Sequence, residues 1–345
     1  FYDTSGILWL STYYKGLDKI VFIKNIFNNI PFNDNKQFHE VRSIYKLSED
    51  KLLIGTKEKK LFLIDSSLNI KDFKIKLNSM IYSIYEDKNK NLFLGSKGDG
   101  LYLIRNYYKS NYYIKNFSLS ADNNYSLSNN NIYDIEEDNY GKIWIATYGG
   151  GINIFIPDSG IKFYNYKNIL KNYPISSGYR VRDIKLDSKN NVWIATTEGL
   201  IFCKNHINIK NLNFYKIKNI LNDIYYIYID KFDTVWIATL GGGLYKVKSY
   251  PEKSTYIEFE NYTKKQGLPY DVILTIEEDN YSRLWLTTEK NIVLYDRKQN
   301  YFYVFDDNDG IENINFSESA VCRFYDRLFY GTSTGILWFK PNTLK

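Results

Sequence analysis

A short phrase returns eight times along the chain: a turn residue that is acidic in six copies and Leu47 or Arg323 in the others, a bulky apolar residue six positions on, and a hydroxyl three further. Its clearest copies are D-N-Y-G-K-I-W-I-A-T-Y-G-G-G at 138–151 and D-K-F-D-T-V-W-I-A-T-L-G-G-G at 230–243. The bulky position is Trp9, Leu53, Phe93, Trp144, Trp193, Trp236, Trp285 and Phe329, so the steps are 44, 40, 51, 49, 43, 49 and 44 residues. A period of about 40–50 residues marks an array in which each unit buries its apolar face against the next.

One unit shows what the array is made of. Ile132-Tyr133-Asp134-Ile135-Glu136 is a short β-prone run that ends in the turn Glu137-Asp138-Asn139-Tyr140-Gly141. Lys142 to Thr147 reads as a second strand, Tyr148-Gly149-Gly150-Gly151 as a tight loop, Ile152 to Phe155 as a third strand and Ile161 to Tyr164 as an outer fourth. Asp, Asn and Gly suit the turns because they bond locally or accept positive φ. Four short antiparallel strands per unit make a propeller blade, and the 3.6-residue apolar spacing of a helical repeat is not present. The expected fold is an all-β propeller of about seven four-stranded blades, with eight as the alternative. First strands begin near Val41, Ile81, Ile132, Val181, Ile224, Ile273 and Ser319, and the ring is expected to close by sharing a blade between the chain ends.

Within the phrase, the residue two after the bulky one is small in seven copies, which permits close approach of neighbouring sheets; Thr287 is the exception. The hydroxyl is expected to tie a loop to backbone groups. Positions that recur in every unit are structural, since a catalytic residue has no reason to repeat. Composition agrees with a β fold: aromatics make up 18% of the 345 residues, with 34 Tyr and 21 Phe. The net charge of +6 is scattered, which argues against a nucleic-acid partner. Cys203 and Cys322 form no CxxC pair, and no apolar run reaches the ~18 residues of a membrane helix.

The phrase D-x-x-G-x-L/I-W-I-G/A-T-x-x-G-G-L/I resembles the two-component regulator propeller repeat, over essentially the whole chain. It is similar to the sensor ectodomains of hybrid two-component systems, which carry two propellers, a β-sandwich, a membrane helix and a kinase. The stretches 310–320 and 328–341 look like that family's last blade before the sandwich, and 3–18 like its blade at the propeller junction. The resemblance implies that residues 1–345 are one propeller from a longer periplasmic ectodomain of an inner-membrane protein. It implies a ligand sensor, not an enzyme, which binds an oligosaccharide and signals to a kinase outside this chain. Neighbouring propeller, sandwich and kinase domains would be its partners, and a homodimer is compatible with it.

The residues offer little for catalysis. His39 and His206 are the only histidines, so neither a His-based zinc site nor a Ser-His-Asp triad finds material, and no cofactor or metal is expected. Glu136-Glu137 and Glu277-Glu278 are adjacent carboxylates in strands, which point to opposite faces and cannot oppose each other across a substrate. The phrase also resembles that of propeller lyases that open cyclic antibiotics. A lyase or hydrolase is therefore one alternative function, and a protein-interaction scaffold another. The binding residues expected on the loop-rich face are Tyr13, Tyr14, Arg42, Tyr148, Tyr179, Arg180, Arg182 and Tyr270. Aromatic rings with polar tips and planar guanidinium forks suit sugars, acidic ones in particular.

Overall fold

From Leu53 to Phe329, each bulky residue of the phrase is a plug between one blade and the next. Trp144, Trp193, Trp236 and Trp285 are fully buried. Trp144 packs among Val181, Ile184 and Val192 of the following blade, and Trp193 among Ile224, Ile227 and Ile237. Phe329 packs on Val41, Ile44 and Ile54, which joins the last blade to the first. Truncating such a side chain to alanine costs about 3–5 kcal/mol.

The computed structural model describes residues 1–4, 7–14, 16–21, 26–34, 37–157, 160–250, 255–311 and 313–343. They form seven four-stranded antiparallel sheets around a central channel. The first strands, which wall the channel, are Val41–Leu47, Ile81–Glu86, Ile132–Glu137, Val181–Leu186, Ile224–Ile229, Thr275–Glu278 and Phe316–Phe324. The third blade runs Ile132–Glu137, Ile143–Thr147, Gly151–Phe155 and Phe163–Tyr164, as its sequence suggests. In the seventh blade the fourth strand is Asn28–Pro31, paired with Gly335–Phe339, so the two ends of the chain share one sheet.

The phrase explains itself in the turns. The acid's Oδ1 accepts backbone N–H groups two and four residues on, and its Oδ2 accepts the tryptophan indole. For Asp138 these bonds come from Tyr140 N (2.9 Å), Lys142 N (3.0 Å) and Trp144 Nε1 (2.8 Å). Asp187, Asp230 and Asp279 hold Trp193, Trp236 and Trp285 at 3.0, 2.9 and 2.8 Å. The spacing of six thus sets a latch that fixes the plug. The hydroxyl donates across the next loop, as Thr147 does to the Gly151 carbonyl at 2.7 Å and Thr239 to Gly243 at 2.8 Å. The small residue clears the next blade: a Cβ at Gly95 would come within 2.5 Å of Ile132.

The first copy is different. Trp9 is held by Asp3 at 2.9 Å as in the blades, but its strands Ile7–Thr12 and Gly16–Val21 form a separate two-stranded hairpin. The ring therefore has seven blades. Apart from single-turn 3₁₀ segments, the helix Ile175–Gly178 is the one helical element among the described residues.

Candidate functional site

Each complete first strand opens at the face that carries the loops between second and third strands. A bulge follows its first residue in the first five blades, for example between Ile132 and Asp134. The second residue is the extra one, and in these five blades it is Arg42, Tyr82, Tyr133, Arg182 and Tyr225. These side chains join around the channel mouth. The Arg42 guanidinium lies 4.6 Å over Tyr82, whose ring meets Tyr133 edge to face at 5.0 Å. Tyr133 stacks on Tyr148 at 4.8 Å, and Arg182 lies 5.5 Å from Tyr148 and 4.4 Å from Tyr225. Each such cation–π contact contributes roughly 0.5–2 kcal/mol and, more to the point, sets the plane of the guanidinium.

Three carboxylates stand beside these arginines. Arg182 Nε and Nη2 donate to Asp223 at 2.8 and 2.9 Å, a bidentate pair. Glu318 of the seventh blade lies 3.5 Å from both Arg42 and Arg182, and Glu40 lies 3.5 Å from Arg42. Burial first, then Tyr82 and Glu318, push the Tyr133 phenol up to about 12, so this ring stays neutral at ordinary pH.

Deeper in the channel the same strands carry a different chemistry. A cavity of about 380 Å³ is lined by Tyr45, Tyr85, Asp134, Glu136, Asp183, Lys185, Tyr226 and Glu277, among others. Lys185 Nζ stands 3.1 Å from Asp134, 2.6 Å from Glu136 and 3.1 Å from Asp183. Asp134 also accepts the Ile184 amide at 2.9 Å and Asp183 the Ile227 amide at 2.6 Å, so each clamps the next blade. Burial would lower the Lys185 ammonium, but the three carboxylates hold it well above its ordinary value. Burial raises Asp183 and Glu136, with Lys185 offsetting part of the effect. Burial also lifts Glu277 to about 7, although the Glu278 amide, Arg323 and the Tyr228 hydroxyl, at 3.2 Å, favour its charged form.

Of the residues expected to bind, Arg42, Tyr148, Arg180 and Arg182 converge on the mouth, Arg180 lying 5.6 Å over the Tyr148 ring. Tyr179 stands beside Arg180 in a cleft of about 480 Å³ with Ile175, Ser176, Thr197 and Glu198. Its carbonyl accepts the amides of Gly149, Gly150 and Gly151 at 2.9–3.0 Å, which pins the loop that carries Tyr148. Tyr270 sits apart, in a pocket with Val272, Glu289 and Lys290, and Lys264 lies over its ring. Tyr13 and Tyr14 pack edge to face on each other in the turn of the separate hairpin, outside the seven sheets. Sequence reasoning missed Asp223, Glu318 and the cluster around Lys185. The signal for the last was present: Asp134, Glu136, Asp183 and Lys185 are charged at alternate positions of strands whose intervening residues are apolar.

The two histidines lie away from this lining. His39 packs 6.2 Å from Phe62 with Nδ1 3.4 Å from Glu58, and the carbonyl of His206 accepts from Lys142 Nζ at 2.6 Å on the opposite rim. No group of three or more His, Cys, Asp or Glu able to hold a metal ion occurs among the described residues. No helix among them is long and apolar enough to cross a membrane.

Comparison with known proteins adds a local family match and a fold. The family described as two component regulator propeller matches residues 126–149, the phrase of the third blade and the run leading into it. A curated relative, histidine kinase P4 of Formosa agariphila, is 24% identical over 213 residues, which is 59% of this chain and 15% of that protein. The extracellular domain assigned to a hybrid two component system of B. thetaiotaomicron superposes with a TM-score of 0.74 at 21% identity, over 99% of this chain and 45% of that one. A catalytically inactive histidine variant of virginiamycin B lyase from Staphylococcus aureus, with quinupristin, superposes at 0.68 and 15% identity, over 90% and 98%. At these identities the solved structures speak to the fold.

Proposed function

The chain carries the two-component regulator propeller repeat, and from that premise we propose that it is a ligand-sensing propeller of a membrane-bound regulator. In this reading residues 1–345 are one propeller of a longer periplasmic ectodomain. An oligosaccharide binds at the channel mouth, and the signal passes to a kinase outside this chain. The chain spans 15% of its curated kinase relative and 45% of the similar ectodomain, which leaves room in both for other domains.

The observation that carries the reading is the ring Arg42–Tyr82–Tyr133–Tyr148–Arg182–Tyr225. It draws side chains from five blades onto one opening while every repeated position of the phrase is spent on folding. Flat rings offer apolar area with polar tips, and the stacked guanidinium groups offer fixed donor forks; both suit the alternating faces of a pyranose. A lyase reading finds no such support. The similar lyase is inactive as a histidine variant, whereas both histidines here lie off the channel lining.

Titration calorimetry of this chain against a panel of neutral and acidic oligosaccharides tests the proposal. Binding that Tyr148→Ala weakens supports it. Saccharide binding that is indifferent to Tyr148 would move the ligand off this face, and no heat with any sugar would sink the reading.

A further inference from the structure

One carboxylate in the mouth stands between two cations and closes on neither. Glu318 Oε2 is 3.5 Å from Arg42 Nη2 and 3.5 Å from Arg182 Nη1. Charge-assisted N–H···O bonds close to roughly 2.7–2.9 Å, as Arg182 does on Asp223 at 2.8 and 2.9 Å. The two donors converge on one oxygen from opposite parts of the ring, since Arg42 belongs to the first blade and Arg182 to the fourth.

We propose that Glu318 is a built-in placeholder for the carboxylate of an acidic saccharide. The ligand's carboxylate takes the place between Arg42 and Arg182, and Glu318 swings out to solvent. This deepens the reading of the mouth as a saccharide site and rests on it.

Three observations support an exchange at this point. Glu318 is 33% exposed, against 13% for each arginine, so it is the member of the cluster that water reaches most easily. It is delivered by a distortion: the register of the seventh blade jumps between Phe316 and Val321, and Ser319 has φ of +55°, a left-handed conformation rare for a non-glycine residue. Strain of this kind is held only where the surroundings impose it, and the hydrogen bond of the Ser319 hydroxyl, to the Tyr225 carbonyl, is long at 3.4 Å. Charge also favours an incoming anion. Arg180 and Lys97 lie over Tyr148 and Tyr82, and neither forms an ion pair with a carboxylate among the described residues. Departure of Glu318 leaves the mouth positive, and one ligand carboxylate restores the balance. Tyr82, Tyr148 and Tyr225 hold the guanidinium planes in place throughout, so little further ordering is needed on binding.

The test is titration calorimetry of this chain with a uronate trisaccharide, its carboxyl-reduced neutral counterpart and a sulfated trisaccharide. Glu318→Gln keeps shape and removes the competing charge. It is expected to bind the uronate about tenfold more tightly than the native chain and to shift the neutral sugar by less than about twofold. Glu318→Ala is expected to behave likewise, with thermal melting showing that both variants fold. Equal or weaker uronate binding by Glu318→Gln would overturn the proposal and make Glu318 a structural tie. A gain confined to the sulfated sugar would overturn it in favour of a sulfate ester. If the neutral sugar binds and Tyr148→Ala weakens it, with no acidic gain, only the placeholder falls. If none of the three sugars binds either protein, the saccharide reading of the mouth falls with it.

Discussion

The mouth and the interior of the channel are built on the same first strands, yet their ion pairs are made in opposite ways. In the interior, Lys185 meets three carboxylates at 2.6–3.1 Å, and two of these also accept amides of the adjoining blade. In the mouth, Glu318 spans the first and fourth blades at 3.5 Å, and of the contacts that Arg42 and Arg182 make with carboxylates only the Arg182–Asp223 pair is tight. Close pairs between neighbouring blades hold the ring in register. A loose pair across the opening holds nothing together that the blades do not already fix. Binding capacity is therefore expected in the mouth and stability in the interior, although the two lie within a few residues of each other on each strand.

The largest expected effect is in the interior. Lys185→Met removes the cation and keeps the apolar length, leaving Asp134, Glu136 and Asp183 together. Removing one partner of a buried pair costs 3–5 kcal/mol, and access of channel water argues for the lower end, about 3 kcal/mol. The loss should show as a lower urea midpoint at unchanged slope, and it should be greater at pH 8 than at pH 5, because protonation relieves the repulsion. A Lys185→Met protein as stable as the native one at pH 8 would erase the distinction between the two regions.

Glu277 gives a second, smaller test with the opposite sign. Burial leads its folded-state pKa to about 7 from an ordinary 4.5, so the folded chain holds this proton more tightly than the unfolded one. The associated stability is fully present below about pH 4.5 and is lost as pH rises through about 7. Glu277→Gln keeps an acceptor for the Tyr228 hydroxyl and has no charge to bury. It should match the native chain near pH 4.5 and exceed it at pH 8 by on the order of 2–3 kcal/mol. Urea midpoints at the two pH values decide it, and a variant less stable at pH 8 would show that the ionised form is the one the channel favours.

How much of this was legible beforehand follows from the range of the interactions. The phrase spans ten positions from acid to hydroxyl, and its latch, plug and loop tie are all local, so the blades and their order could be read directly. The shared seventh blade was legible as well, because the last copy lacked an outer strand that the N-terminal region could supply. What a phrase cannot show is whether its neighbours complete a sheet. Trp9 carries the same latch as Trp144 and yet lies in a two-stranded hairpin. Arg42 and Arg182 could be placed at the channel because each follows the opening residue of a first strand. Their partners could not: Glu318 is 276 residues from Arg42 and 136 from Arg182 in sequence, and it reaches the mouth through a bulge in the seventh blade that no local pattern announces. Tyr13, Tyr14 and Tyr270 satisfied the same criterion of aromatic side chains in loops, and the ring geometry sets them apart.

That last separation gives the smallest and most discriminating prediction. Arg182 is a poor probe of binding, because truncating it also strands Asp223, and an unpaired charge costs stability as well as affinity. Arg180 is cleaner. It lies over Tyr148 with no carboxylate ion pair among the described residues, so Arg180→Ala should leave the urea midpoint nearly unchanged. If the mouth takes an acidic saccharide, loss of one charge-assisted hydrogen bond of roughly 1.5 kcal/mol weakens binding about tenfold. The paired variant Tyr13→Ser, Tyr14→Ser removes two rings that are 93% and 91% exposed in the hairpin turn, and it should alter neither stability nor saccharide affinity. Calorimetry on both variants with one uronate trisaccharide reads the comparison directly. Weakening by the hairpin variant with none from Arg180→Ala would transfer the site from the channel mouth to the hairpin, and with it the contrast between a mouth that binds and an interior that holds.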